Sequence, residues 1–410
     1  MAQYLLQVLV LIASLASVVS SAQSFDALVS PITKDSHLSL YSIAVNGSEE
    51  LVIDLSLPYS WVVCKNGAPL VLCHSTPCSA VESYNQSLCS SHSDANVKSN
   101  VPCTCLTAPV NPITKECAVS RLTTTSLALS STDGHNPLAT VNFAGVYVSC
   151  APRTLLRSLP QGVSGVASLS PAPLSLPSQF SNKIIKQFGI CLPSTSTASG
   201  VAFVGKGPFY LLPPPGRDVT SLLSFTPLLN TTGSNLGYYI GLAGIAINQE
   251  AVTFPKGAFD LGHGGVKLST TIPYTTLRSQ LYLAFLKQFS KATSGIPRVK
   301  KVKPFDLCLN TTTLGSTRVG LPVASIDLEL SNGKNWTIFG ANSMKQVTDE
   351  VACLAFVDGG VRAEQAVVIG SFQMENSFLL FDLVGSRLGF TDTLFGSQTT
   401  CANFNFTSGV

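Results

Sequence analysis

Short runs of apolar residues, each closed by a cluster of Gly, Pro, Ser or Asn, recur along the whole chain. Such runs are typical of strands, and the clusters between them are typical of turns. The pattern predicts strands at 41–45, 51–57, 140–150, 200–205, 238–247, 325–330, 351–357, 366–371 and 377–383. Strands that are this short and this closely spaced predict an all-β protein with a barrel-like architecture.

Two segments have instead the apolar spacing of an amphipathic helix, 176–188 and 274–292. The chain has 410 residues, more than one hydrophobic core normally serves, so two lobes are expected. The proline-rich stretch from Leu211 to Gly216 is the expected boundary between them. We therefore predict lobes at 23–215 and 216–410.

The first residues carry the features of a secretory signal. Leu5 to Val19 is almost wholly apolar, and Ser20, Ser21 and Ala22 are the small residues that suit signal-peptidase cleavage. The apolar run is shorter than the roughly 20 residues that a membrane-spanning helix needs. We predict a signal peptide at 1–22 and a secreted, extracellular protein that has no membrane partner.

Twelve cysteines behind such a signal indicate disulfides formed in an oxidising compartment, and seven of them fall between Cys64 and Cys117. Zinc binding is the competing interpretation of Cys103 and Cys105, but this pair lacks a second Cys or His pair at ligand spacing. No metal and no cofactor are expected. Six N-x-S/T sequons predict surface glycosylation, at Asn46, Asn85, Asn230, Asn310, Asn335 and Asn405.

Composition excludes one class of partner. Apolar residues make up 45% of the chain and charged residues 11%, with a formal net charge of +3. That excess of positive charge is too small to indicate nucleic-acid binding.

Two segments in different halves of the chain can be laid over each other. Asp54, followed by Leu55 and Ser56, then faces Lys267, which is also followed by Leu and Ser. A two-lobed aspartic peptidase needs two carboxylates that share one proton, and an ammonium opposite a carboxylate cannot share it. In such a peptidase each of the two aspartates is followed by a Thr and a Gly that support the carboxylate. In this alignment both Asp54 and Lys267 are followed instead by Leu and Ser. We predict that Asp54 and Lys267 are relic positions and that the protein has no catalytic residues.

Several longer motifs resemble the plant pepsin-like family of aspartic peptidase homologues. They are WVVC after Asp54, SCAP at 149–152, PLSLPSQF at 173–180, CLAFVDGG at 353–360 and FDLVGSRLGF at 381–390. TRVGLPVASIDLEL, WTIFGANSM and the closing TTCANFNFTS are similar to the extracellular dermal glycoprotein and xyloglucan-specific endoglucanase inhibitor group. Xylanase inhibitors and basic 7S globulins of legume seeds are more distant relatives. The resemblance implies a pepsin-like bilobal double β-barrel with a few short helices.

The resemblance also implies a function and a contact site. Several members of the group block the clefts of microbial glycoside hydrolases, and two arginines of the endoglucanase inhibitors engage the acidic residues there. Arg318 matches the first of these arginines, whereas the second falls at Gln398, which can accept and donate hydrogen bonds but brings no charge. We expect a secreted plant defence protein of the apoplast or cell wall, with Arg318 and Gln398 as its contacts to a secreted microbial hydrolase.

Two alternatives from other classes stay open. One is an aspartic-type endopeptidase with a degenerate site that uses Asp54 alone, and the other is a seed-globulin-like storage or peptide-binding protein. The resemblance further implies the disulfides Cys64–Cys150, Cys191–Cys401 and Cys308–Cys353. The pairing within the cluster from Cys73 to Cys117 departs from the family and stays open.

Overall fold

A computed structural model describes residues 27–64, 67–84, 89, 103–213, 216–231 and 236–407. The predicted signal peptide at 1–22 and the sequon at Asn85 lie outside the described residues. No helix among the described residues is long and apolar enough to cross a membrane.

The described residues form 28 strands and five short α-helices. The strands are β1 (Ala27–Lys34), β2 (Tyr41–Val45), β3 (Glu49–Asp54), β4 (Trp61–Val62), β5 (Leu106–Thr107), β6 (Ser120–Thr132), β7 (Pro137–Cys150), β8 (Gly165–Ser168), β9 (Gln187–Cys191), β10 (Gly200–Gly205), β11 (Tyr210–Leu211), β12 (Arg217–Asp218), β13 (Ser224–Leu229), β14 (Tyr239–Ile240), β15 (Leu242–Ile247), β16 (Glu250–Ala251), β17 (Val266–Leu268), β18 (Thr275–Leu277), β19 (Arg298–Val299), β20 (Cys308–Asn310), β21 (Ile326–Leu330), β22 (Asn335–Ile338), β23 (Met344–Thr348), β24 (Val351–Leu354), β25 (Phe356–Asp358), β26 (Val367–Ile369), β27 (Phe378–Asp382) and β28 (Arg387–Phe390). The helices are α1 (Thr76–Glu82), α2 (Leu176–Phe180), α3 (Ser279–Ala292), α4 (Gly340–Ser343) and α5 (Ser371–Met374).

The prediction of an all-β fold is confirmed, with corrections at both predicted helices. The helix expected at 176–188 ends at Phe180, and its last residues belong to strand β9. The segment expected as a helix at 274–292 begins with strand β18, and helix α3 starts at Ser279. In both cases neighbouring strands recruit one end of the segment, and this pairing overrides the local periodicity.

A row of six antiparallel strands within a larger sheet connects the two halves of the chain. Its strands follow the order β1, β10, β9, β27, β28, β13, so strands from the first 205 residues lie beside strands from beyond residue 220. Within this sheet the halves meet at the β9–β27 ladder, in which Phe188 lies opposite Phe381 and stacks on it with ring centroids 4.6 Å apart. Burial of these aromatic rings on both sides of the ladder fixes the register of the join.

Six disulfides join all twelve cysteines. Three are the pairs that the resemblance implies: Cys64–Cys150, Cys191–Cys401 and Cys308–Cys353. The cluster that the sequence left open is joined as Cys73–Cys103, Cys78–Cys105 and Cys89–Cys117.

Candidate functional site

Asp54 ends strand β3 in the cleft region where the two halves meet. Its side chain is buried, and its Oδ1 accepts hydrogen bonds from the backbone N–H groups of Ser56 at 2.6 Å and Leu57 at 2.8 Å. Its Oδ2 accepts a longer bond, 3.5 Å, from the Thr271 hydroxyl. The carboxylate is therefore held by a tight turn of its own chain and by one hydroxyl from the other half.

Ser269 makes the matching turn in the second half. Its Oγ accepts from the backbone N–H groups of Thr271 at 3.3 Å and Ile272 at 3.2 Å, which are the second and third residues after it. Asp54 receives its two backbone bonds at the same offsets. Ser269 is therefore the structural counterpart of Asp54, and a hydroxyl stands where the second carboxylate of an aspartic peptidase would be.

This geometry corrects the register predicted from the sequence, in which Lys267 faces Asp54. The error is two residues, and it arose because Leu-Ser follows both Asp54 and Lys267. The spacing of a second pattern gives the correct register. A Pro-Tyr pair begins four residues after Asp54, at Pro58, and four residues after Ser269, at Pro273, but six residues after Lys267.

The second half retains a threonine beside the site, at Thr270. This corrects the expectation that the supporting threonine is replaced in both halves. The Thr270 hydroxyl donates to the backbone carbonyl of Ile53 at 2.7 Å, a buried hydrogen bond that crosses from one half to the other. Thr270 follows Ser269, so its counterpart in the first half is Leu55, which has no hydroxyl to make the reciprocal bond. The bond from the second half to the first is therefore present, and Leu55 cannot make the corresponding bond from the first half to the second.

Lys267 lies beside this site without occupying it. Its ammonium is 5.7 Å from the ring centroid of Tyr239, and its side chain packs against Gly237, where an added Cβ would meet Lys267 Cε at 2.6 Å. Among the described residues, none forms an ion pair with Lys267 within 4.0 Å. Burial lowers the pKa of the ammonium, and the nearby carboxylates of Asp54 and Glu364 oppose that fall.

The groups that surround Asp54 determine which reactions this site can support. The Asp54 carboxylate accepts hydrogen bonds from two backbone amides and one hydroxyl, and none of these groups is an acid with which it could share a proton. The hydroxyls of Ser269 and Thr271 are 3.2 Å apart and bond to each other. In the described part of the cleft, the groups bonded to Asp54 therefore form a hydrogen-bonded turn, without the carboxylate pair that activates water.

The two predicted inhibitor contacts lie on neighbouring loops. Arg318 is exposed at the tip of a turn that the Thr317 hydroxyl closes by donating to Gly320 O at 2.8 Å. Gln398 is also exposed, at the end of the short 3₁₀ helix Leu394–Ser397. A Cβ added to Gly396 in that helix would be 3.8 Å from Val319 Cγ1.

The disulfide Cys191–Cys401 anchors the second loop three residues beyond Gln398. It links the loop to strand β9 in the sheet between the halves. The two loops therefore lie side by side, with the second one anchored by the disulfide, and we call residues 317–320 and 394–398 the paired-loop surface.

The predicted glycosylation sites within the described residues reach solvent. Asn46, Asn230 and Asn335 are exposed, and Asn310 and Asn405 are half-buried. Asn46 is also bonded on both sides of its amide: its Oδ1 accepts from Ala128 N–H at 2.8 Å and its Nδ2 donates to Glu49 Oε2 at 3.0 Å. A glycan there would grow from a side chain that already joins two strands.

One group of side chains has the spacing of a metal site. Ligand atoms of Cys73, His74 and Cys103 lie within 4.8 Å of one another. Cys73 and Cys103 are joined as a disulfide, so their thiolates are not available as ligands while that bond is intact.

Comparison with known proteins gives matches along nearly the whole chain. The family model described as Xylanase inhibitor N-terminal matches residues 45–206, and the one described as Xylanase inhibitor C-terminal matches residues 237–392. A protein of Oryza sativa subsp. japonica named Chitinase CLP is 42% identical over 392 residues, 93% of this chain and 91% of the relative. Gamma conglutin 1 of Prunus dulcis is 38% identical over 397 residues, 92% of this chain and 89% of the relative.

A solved structure has the same fold. The crystal structure of edgp superposes with a TM-score of 0.84 at 35% sequence identity, and the match covers 94% of this chain and 99% of that chain. The predicted bilobal, pepsin-like double-barrel fold is confirmed.

Proposed function

Because the chain belongs to the plant pepsin-like family of the xylanase-inhibitor type, we propose that it is a secreted protein without peptidase activity that binds and inhibits microbial cell-wall glycoside hydrolases. The target class is an endoglucanase or a xylanase. The observation that carries the proposal is the paired-loop surface, where Arg318 stands free in solvent beside a loop that a disulfide holds in place. A rigid surface with an extended cation loses little entropy when it enters an acidic cleft.

The cleft between the lobes supports the first part of the proposal. With Ser269 in place of a second carboxylate, Asp54 has no partner for general acid–base catalysis on a peptide. The protein has the fold of an aspartic peptidase, and it binds its target through the paired-loop surface, which lies outside that cleft. This argues against the alternative of a degenerate endopeptidase that uses Asp54 alone.

Charge on the paired-loop surface is expected to set the strength of inhibition. Glycosidases work with two acidic residues, and a guanidinium can pair with such carboxylates through two parallel hydrogen bonds. Arg318→Ala is expected to weaken inhibition about 10- to 100-fold, and Gln398→Arg to strengthen it by a similar factor, since a hydrogen bond to a charged group contributes about 1.5–3 kcal/mol. The measurement is the inhibition constant against a panel of microbial endoglucanases and xylanases.

The matched control is Arg362→Ala, which removes another exposed arginine from a different loop and is expected to leave inhibition unchanged. If the unmodified protein at micromolar excess inhibits none of the panel, the inhibitor proposal is wrong. The protein alone is assayed on chitin in the same series, because a relative with 42% identity is named a chitinase.

We further propose where the protein is located, how its lobes divide and where its glycans lie. The leader at 1–22 directs the chain out of the cell to the apoplast or cell wall, and the lobes occupy 23–215 and 216–410. Glycans are attached at the sequons. The conglutins and 7S globulins among the relatives of this chain leave open the alternative of a storage or peptide-binding protein. Abundance in seed tissue would favour that alternative.

A further inference from the structure

A basic surface follows helix α3 and the segment after it. From residue 261 to residue 305 the sequence has eight Lys and Arg residues and no Asp or Glu. Six of the eight lie on α3 or in the segment that follows it, and all six are exposed: Lys287, Lys291, Arg298, Lys300, Lys301 and Lys303. We call these six cations the α3 basic surface. The inhibitor function proposed above makes no use of it.

Hydrogen bonds hold the segment after α3 against the helix. Arg298 donates to Ser290 O at 2.7 Å, in the last turn of α3. Farther along the segment, Asp306 accepts from the Tyr282 hydroxyl at 3.1 Å, in the first half of α3. The segment 298–306 therefore runs back along the helix, and its cations lie beside the helix that carries the others.

The charge of this surface is only partly balanced. Lys291 pairs with Glu250 at 3.1 Å, and Lys301 pairs with Asp306 at 3.0 Å. The other four cations form no ion pair within 4.0 Å among the described residues: Lys287, Arg298, Lys300 and Lys303. The six cations thus exceed their two paired acids by four, whereas the whole chain has a net charge of +3. Positive charge is concentrated here, and it attracts a partner with many negative charges.

The spacing of the cations indicates how the charges of that partner are arranged. Lys287 and Lys291 are one helical turn apart, so their side chains start about 5–6 Å from each other. Arg298 and Lys300 are two residues apart on β19 and the residue after it, which separates them by about 6–7 Å. Cations set out in this way face a row of single negative charges along a chain, rather than one multiply charged group.

Two other classes of anionic partner fit this surface less well. A helix that lies in a lipid surface inserts its apolar face, but the apolar face of α3, which includes Leu281 and Phe285, is buried in the core. Single-stranded nucleic acid is held by bases that stack on aromatic rings. The aromatic rings of α3, those of Tyr282, Phe285 and Phe289, are buried, and residues 298–304 contain none.

We propose that the α3 basic surface binds an acidic polysaccharide with one carboxylate on each sugar ring, a polyuronate. Each exposed ammonium pairs with one carboxylate of the polymer. A single exposed ion pair is weak, so binding depends on several pairs together and is screened by salt. The choice of a polysaccharide rests on the extracellular location proposed above, and the residues involved are different from those of the paired-loop surface.

The affinity of the full-length protein for polygalacturonate tests this proposal. The measurement is made at about pH 6, where carboxylates are ionised and lysine is protonated, and at about 0.01 M salt, where exposed charges act over about 30 Å. Polygalacturonate is expected to bind. The fully methyl-esterified polymer has the same sugar and no charge, and we expect it to bind about tenfold more weakly or less; about 0.3 M salt should weaken binding to polygalacturonate by a similar factor.

A triple variant locates the binding on the α3 basic surface. Lys287→Gln, Lys300→Gln and Lys303→Gln together remove three exposed charges that have no acid partner, and affinity is expected to fall about tenfold. The matched control removes three exposed cations from other elements and gives the same net charge: Arg153→Gln, Lys206→Gln and Lys334→Gln. Its affinity should stay close to that of the unmodified protein. Thermal unfolding shows whether both variants stay folded.

The proposal is overturned if polygalacturonate does not bind at low salt, if the esterified polymer binds as well, or if the two triple variants weaken binding equally. Tighter binding to vesicles of anionic lipid or to single-stranded RNA than to polygalacturonate would also overturn it. Inhibition of hydrolases is expected to be the same in the first triple variant as in the unmodified protein. The inhibitor proposal and the polysaccharide proposal can therefore fail separately.

Discussion

Ser269→Asp, combined with Leu55→Thr, is expected to give the cleft an acid-dependent peptidase activity. The first change places a carboxylate where the turn already offers two backbone N–H groups, directly matching Asp54. The second adds the hydroxyl that is missing from the cross-links between the halves, opposite the existing bond from Thr270 to Ile53 O. Two neighbouring carboxylates then share a proton, and one acts as a base on water while the other acts as an acid.

The expected rise in the rate of cleavage of a denatured protein is about 10²- to 10⁴-fold above the unmodified protein, the usual contribution of general acid–base catalysis. Activity should appear only at acid pH, between the two apparent pKa values of the pair, and pepstatin should abolish it. The control is Lys267→Asp with the same Leu55→Thr change, which puts a carboxylate beside Tyr239 and Gly237 and should give no cleavage. Cleavage by the Lys267 variant but not by the Ser269 variant would show that our register for the cleft is wrong.

Local sequence was sufficient for strands with clear turn residues at their ends. Strands β2 and β10 have the bounds that their apolar runs predict, 41–45 and 200–205. The turn Asn46–Gly47 after β2 has positive φ at both residues, a geometry that Asn and Gly favour and that ends the strand at a definite place. Where the turn chemistry is visible in the sequence, the boundary of a strand can be predicted from it.

Pairing between distant strands was not visible in the sequence. The run at 176–188 has helical spacing, yet its last two residues are the first two of strand β9. This strand pairs with β10 on one side and, on the other, with β27, almost 200 residues away in the sequence. The candidate site shows the same limit. The loss of the carboxylate pair could be predicted from the sequence, but matching the Leu-Ser after Asp54 to the Leu-Ser after Lys267 gave the wrong partner, and the hydrogen-bonded turn around Ser269 gives the correct one.

A buried ion pair also lay beyond sequence analysis, because its partners are 341 positions apart. Lys34 Nζ is 2.6 Å from Glu375 Oε1, and the same oxygen accepts from the Tyr41 hydroxyl at 2.6 Å. The remaining bond of the ammonium goes to Ser194 O at 2.9 Å. The side chains of Lys34 and Glu375 are only 8% and 5% exposed, so this buried pair connects β1, the first described strand, to the C-terminal half of the chain.

Lys34→Met is expected to lower the free energy of unfolding by about 3–5 kcal/mol at neutral pH, because it leaves the Glu375 carboxylate buried without its cation. Urea unfolding with the disulfides intact measures this loss. The matched control is Lys291→Met, which breaks the 3.1 Å pair with Glu250, whose side chains are 71% and 63% exposed; because solvent screens this pair, its loss should be much smaller than that of Lys34→Met.

The pH dependence of that loss follows from the pKa of Glu375. Burial raises the pKa of this carboxyl, and Lys34 and the hydrogen bond from Tyr41 oppose the rise. A carboxyl whose pKa is higher in the folded state contributes stability that is complete below its unfolded pKa and is lost as the pH rises through the folded pKa. Without Lys34 the folded pKa rises further, so the variant loses more of this contribution than the unmodified protein as the pH increases. The difference in unfolding free energy between the two proteins should therefore be smallest near pH 4 and grow towards about pH 8. A difference that is largest in acid, or that matches the Lys291→Met control at every pH, would show that the Lys34–Glu375 pair does not hold the first strand to the C-terminal lobe in this way.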